Sequence, residues 1–318
     1  MEIEKYLAEI KLGISNAVKS NDSKYKYINV QYENITLENL FEEEKIKSNK
    51  GFILTELFHV LQGATVGGKG CTEIYNYYFD NNDLVYKLID GENIDPFKIS
   101  WSKNYAIFPY KIKKNRFIPA FYDEVKKIDY LDYEINIDDT EAGKDETQKL
   151  NHRIANGYID NTDVSEYLTK NYEILNNRQF EGKNIKEYNK SWYEYHRPRE
   201  SIILVTPRIV GRRLMKKPSF AIDNIGYLSK DSVINLIPKE TFTNLIFKIQ
   251  KITNQKTSTL NGMNYVLYYL NSKYFEDILT KKHSKKQGDY VNISEKMLQK
   301  VIIPFPSLMK KDELLKVL

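Results

Sequence analysis

A chain of 318 residues, 41% of them hydrophobic and 29% charged, is long enough to bury a full core and is composed like an ordinary soluble globular protein. A single cysteine, Cys71, excludes an internal disulfide, and His59, His152, His196 and His283 form no Cys/His pair at metal-ligand spacing. The net charge is a modest +5, no apolar run reaches the length of a membrane span, and the start "MEIEKYLAEI" is too acidic for a signal peptide, so a cytoplasmic location is expected.

In chain order, Ile3, Leu7, Ile10, Ile14 and Ala17 predict a short amphipathic helix over 2–19, weakened at Gly13 by about 1 kcal/mol. After a polar break and a charged stretch, "FILTELFHVL" leads into "QGATVGGKG". That loop follows GxxxxGK, but Gly70 stands where a P-loop needs Ser or Thr, so it reads as backbone that comes close to something, such as a sugar–phosphate strand. "NYYF", "LVYKLI", "YAIFPYKI" and "RFIPAFY" are strand-like, and the acidic stretch 129–146 reads as an exposed loop.

Val164, Tyr167, Leu168, Tyr172 and Leu175 predict a helix over 163–180, and "SIILVTPRIV", "FAIDNIGYL" and "SVINLIP" read as strands. Leu260, Met263, Leu267, Leu270, Tyr274 and Ile278 predict a long helix, and "LMKKDELLKVL" a last one capped by Ser307. The expected fold class is α+β: a helical segment 1–48, a strand-rich mixed domain 49–255 and a helical segment 256–318.

Charge is segregated along the chain. From 129 to 146 there are eight acids against Lys144; from 178 to 217 there are eleven Lys/Arg against four Glu. A second basic cluster holds Lys281, Lys282, Lys285 and Lys286. Such blocks are the footprint of a polyanion binder, although a solvated lysine-rich face looks the same in sequence. The first basic block contains "GKNIKEYNKSWYEYHRPR", 182–199, whose first half repeats "GENIDPFKISW", 91–101. Both copies end on the chain's only tryptophans, Trp101 and Trp192, which read more readily as core anchors of two similar turns than as base contacts. The 25 tyrosines are also what an AT-rich coding sequence produces, so their number alone assigns nothing.

The sequence lacks a Gly-rich nucleoside-cofactor loop after a first strand and an Asn/Asp-Pro-Pro-aromatic tetrapeptide, the two signatures of a base-amine methyltransferase. "DEVKK", 123–127, has the Glu-x-Lys spacing of a nuclease, a chance match in so lysine-rich a chain. No catalytic residues are assigned.

From about Leu57 to Ser307 the chain resembles the target-recognition domains of restriction–modification systems, chiefly the TaqI-like C-terminal specificity domain of type IIG enzymes and adenine methyltransferases, with type I specificity subunits related. Four blocks in family order carry the resemblance: "LQGATVGGKG"; "LIDGENIDPFKISW" with "YAIFPY"; "WYEYHRPRESIILVTPRI"; and "LYYLNSKYFEDILTKKHSKKQGDYVNISEKMLQKVIIPFPS". The Gly-rich opening departs from the usual Thr-Gly-x-Asn core, and no methyltransferase domain precedes it in the sequence.

The resemblance implies a non-catalytic specificity component that binds double-stranded DNA for a partner methyltransferase, and for a nuclease in some systems, with S-adenosylmethionine held by the partner and no cofactor in this chain. Met1 before an amphipathic helix reads as a natural start. Terminal helices that pair antiparallel would allow a homodimer on a bipartite site. Alternatives are the detached C-terminal part of a single-chain type IIG enzyme and an RNA- or glycan-binding module. The candidate DNA contacts are Arg197, Arg199, Arg208, Arg212, Arg213, Lys183, Lys186, Tyr193, Tyr195, Lys281, Lys282, Lys285 and Lys286, with arginines as base readers and lysines as phosphate holders.

Overall fold

The computed structural model describes residues 51–67, 73–75, 83–123, 128–129, 162–282 and 290–318. The expected helix at 2–19, the "NYYF" strand, the end of the glycine-rich loop, most of the acidic stretch, and Lys285 and Lys286 lie outside them.

The fold is a mixed α+β arrangement around two four-stranded sheets. In the central sheet the order is Phe220–Asp223, Arg208–Arg212, Val233–Pro238, Phe58–Gln62, antiparallel throughout. In the second sheet Leu228–Ser229 runs parallel to Val85–Ile89, which pairs antiparallel with Asn104–Ile107, itself antiparallel to Glu73–Tyr75. Beyond it, Tyr110–Lys113 and Arg116–Pro119 form a hairpin around Lys114 and Asn115, both at positive φ, as a two-residue mirror-image turn requires.

"FAIDNIGYL" therefore supplies one strand to each sheet, Phe220–Asp223 and Leu228–Ser229. Asp223 makes the change of sheet possible: its carboxylate accepts the backbone amides of Ile225, Gly226 and Tyr227 at 2.9–3.1 Å. "SIILVTPRIV" starts as a 3-10 turn, Ser201–Leu204, and is strand only over Arg208–Arg212.

Helices cover one face of the central sheet. Phe242, Leu245 and Ile249 of helix Phe242–Thr253 pack with Phe58, Ile209, Phe220 and Leu236 of the sheet. Helix Thr259–Leu270 lies deeper, buried at every position from Gly262 to Leu270, which matches its all-round apolar sequence. The expected long helix breaks at Asn271 and resumes as Lys273–Lys282. The break shifts the inward face by one residue, so Phe275 and Leu279 are buried and Tyr274 and Ile278 only partly.

Asn271 explains the break. Its side-chain carbonyl accepts the Phe220 amide at 2.9 Å and its side-chain amide donates to the Phe220 carbonyl at 3.0 Å, completing the edge strand where no further strand follows. The last helix is Lys311–Val317, with Lys310 at its N-cap; Ser307 sits instead in the 3-10 turn Pro306–Leu308. Leu314, Val317 and Leu318 join the same core as the sheet, so this amphipathic face is satisfied within the chain.

The helix expected over 163–180 is two pieces, Thr162–Lys170 and Tyr172–Asn176. Val164, Leu168 and Leu175 pack with Trp192, Tyr193 and Phe121 in a second, smaller core.

Candidate nucleic-acid interface

Three arginines meet where the glycine-rich loop crosses the basic segment. Residues 63–65 are laid across the molecule by backbone bonds: Ala64 donates to Ser229 at 2.7 Å, while Thr65 and Arg197 exchange both bonds at 2.9 and 3.0 Å. Gly63 is required there, since a Cβ would fall 1.9 Å from the Lys230 carbonyl oxygen. The close approach read from this glycine is thus to the protein's own backbone. Gly67, at φ +86, lies against His196.

Arg197, Arg199 and Arg213 follow from that crossing. Arg197 is 47% exposed, pairs with Glu181 at 3.1 Å and lies 5.2 Å over the Phe180 ring. Arg199 is half-buried, and its Nε donates to the Gly63 carbonyl at 3.0 Å. Arg213 reaches the Asp231 carbonyl at 3.4 Å through Nη1. Burial, and then the positive charges of Arg197 and Arg213 acting against Asp231, lower the Arg199 pKa. Arginine stays charged regardless, so the shift records burial first, with the nearby charges of Arg197 and Arg213 adding to it and Asp231 opposing them.

Arg199 and Arg213 open into a cleft of about 330 Å³ whose other polar walls are Gln62, Glu200, Ser294 and Glu295. Val60, Ile234 and Ile293 give it an apolar floor. The size is at the small end of ligand clefts, roughly 300–1,000 Å³.

Other candidates stand elsewhere. Arg208 is removed from the ligand-accessible set: it is 0% exposed, and its Nε and Nη2 donate to Asp223 at 3.0 and 2.7 Å and Nη2 also to the Tyr227 carbonyl. The sequence allowed an arginine to pair with the acidic stretch, but the partner is the residue directly across the neighbouring strand. Tyr193 and Tyr195, 0% and 2% exposed, are core residues, with Tyr193 donating to Asp129 and Tyr195 to the Ile107 carbonyl. Arg212 ties the central sheet to the first GxNI element through Asp95 at 3.0 Å and the Ile94 carbonyl.

Lys183 and Lys186 are exposed on the turn beside Glu181, with Lys183 at 6.0 Å from the Tyr188 ring. Lys281 and Lys282 end helix Lys273–Lys282. Trp192 is a fully buried anchor, and Trp101 is half-buried with its indole donating to the Asn104 carbonyl at 2.8 Å.

Sequence reasoning missed Arg178. Its guanidinium donates to the carbonyls of Val66, Trp192 and Glu194 and its Nε to Leu175, so it staples the glycine-rich loop to the basic segment. It also missed Gln62, Glu200, Ser294 and Glu295, which come to the cleft from separate segments and share no motif.

Residues 86–304 match the model of the TaqI-like C-terminal specificity domain, well over half of the chain. The chain belongs to this family. Its matched region runs from strand Val85–Ile89 of the second sheet to the end of strand Ile302–Pro304, and so contains Arg197, Arg199 and Arg213 and the inner strands of the central sheet. The family is a specificity domain of restriction–modification systems, a recognition part and not a catalytic one. No match was found among curated proteins. Among the described residues no group of His, Cys, Asp and Glu could hold a metal ion, and no helix is long and apolar enough to cross a membrane.

Proposed function

We propose that this chain recognises a DNA sequence on behalf of a partner adenine methyltransferase, or a nuclease, and that duplex DNA lies across the face where Arg197, Arg199 and Arg213 converge. The convergence carries the reading. Arg199 and Arg213 each donate one side-chain hydrogen bond to a backbone carbonyl, and Arg197 pairs with Glu181 and lies over Phe180, so most of their donors remain for a ligand. Arg197, the most exposed, and Lys183 and Lys186 beside it suit phosphates; the half-buried pair suits base edges. The partner supplies S-adenosylmethionine and the chemistry, whether as a separate subunit or as part of one longer chain.

The test is a fluorescence-anisotropy titration of the full chain with labelled duplex DNA at two salt concentrations, competed by duplex RNA and by unlabelled DNA. Duplex DNA binding that weakens steeply with salt and resists RNA supports the proposal. Equal competition by RNA, or salt-independent binding, contradicts it.

A further inference from the structure

The cleft between Arg199 and Arg213 is chemically unlike a phosphate clamp. Two carboxylates, Glu200 and Glu295, share its walls with the two arginines, and Gln62 and Ser294 add neutral polar groups. A phosphate entering it would meet both negative charges. A base-pair edge presents donors and acceptors together, so it fits arginine and carboxylate at once.

The geometry of Arg199 adds to this. Its Nε is occupied by the Gly63 carbonyl, and its two terminal Nη groups, with no hydrogen bond to the described residues, remain as a fork of donors. That fork matches the O6 and N7 acceptors of guanine, and the neighbouring cytosine offers an N4 donor to a carboxylate.

We infer that this cleft is a base-reading site for one G·C pair in the major groove, with Arg199, supported by Arg213, on guanine and Glu200 or Glu295 on the cytosine amine. The inference rests on the DNA-recognition reading above and assigns specificity to named residues within it. Arg197 stands outside the cleft in an exposed ion pair and holds the backbone.

Arg199 allows a clean test, because its φ of +72° is one that glycine adopts without strain. Arg199→Gly removes the side chain while easing the backbone. The full chain and its Arg199→Gly, Arg213→Met, Glu200→Gln and Glu295→Gln variants are each used to enrich duplexes from a random DNA library, with thermal melting confirming that each variant folds.

The wild-type motif is expected to contain a fixed G·C pair. Arg199→Gly and Arg213→Met should relax that one position about 10- to 100-fold while lowering binding to random duplexes far less. One of the two Glu→Gln changes should relax the same position. Variants that keep the wild-type motif and weaken all duplexes in proportion overturn the inference and make the cleft a phosphate clamp. Glu→Gln changes that both tighten every duplex with the motif intact overturn it as well. If the wild-type chain enriches no motif, it is the DNA-recognition reading itself that fails, and the base-reading site with it.

Discussion

Arg208 and Asp223 face each other across neighbouring strands, both 0% exposed, and Asp223 also holds the turn that carries the chain from one sheet to the other. A buried pair of this kind is costly to break, since either partner alone leaves an uncompensated charge. Arg208→Met is therefore expected to destabilise the protein by about 3–5 kcal/mol, read as a lower midpoint in urea unfolding. Arg197→Ala, on an exposed ion pair, should cost under about 1 kcal/mol in the same assay.

His196 is a second residue whose environment decides its behaviour. Its ring stacks on Phe180 at 3.8 Å and meets Tyr188 edge-on at 4.2 Å, and its buried Nδ1 has no hydrogen-bond partner. Burial, then the charge of Arg197 against that of Glu181, holds its pKa below the ordinary 6.5. The unfolded chain therefore takes up the proton first, and stability falls as pH drops from 6.5 toward the lower folded value. His196→Phe keeps the stack and should flatten that slope in melting curves recorded between pH 7 and 5; a slope unchanged from wild type would assign it to other groups.

At the level of elements, Gly63 is where the loop and the sheets are locked together. Gly63→Ala places a Cβ 1.9 Å from the Lys230 carbonyl oxygen, and backbone on both sides cannot yield cheaply. A loss of at least about 1–3 kcal/mol is expected, together with weaker DNA binding, because Thr65 and Arg197 shift as a unit. Melting and anisotropy on the same sample check both.

The two GxNI elements show how far sequence similarity reaches. Ile94 and Ile185 are buried in both copies, and an Asn closes a local turn in each. The first copy nonetheless makes its 3-10 turn before the isoleucine, at Gly91–Asn93, and continues as a small hairpin, Ile94–Asp95 with Lys98–Ile99. The second begins its turn on the isoleucine itself, at Ile185–Tyr188. The local pattern fixed an anchor and left the path to the neighbours, so the expectation of two similar turns does not hold.

Strands and helices with strong periodicity, such as Val233–Pro238 and Thr259–Leu270, were legible in the sequence. The break at Asn271 was not, because its cause is a strand edge 51 residues away. The same holds for Ser307: its capping chemistry is right for a helix start, but Pro306 begins a separate turn.

At the scale of the whole molecule, strand Gly51–Ile53 pairs with Ile302–Pro304, and the Leu318 carbonyl accepts from Asn261 and Asn264. The C-terminal helices thus share one core with the central sheet. The same closure assembles the cleft, bringing residues 62, 199, 213 and 295 together from four segments. The basic block was visible in sequence as charge; which of its arginines face solvent was not. Arg208 and Arg197 lie eleven positions apart in one block, and only the sheet register separates a core ion pair from a surface group.

The central claim is that this chain reads DNA sequence. Its most direct test is enrichment from a random duplex library by the wild-type chain at physiological ionic strength. Recovery of a single motif, bound about 10³-fold or more above unrelated duplexes, is the predicted result. Recovery of unrelated sequences with equal affinity would contradict it and leave only a nonspecific polyanion surface.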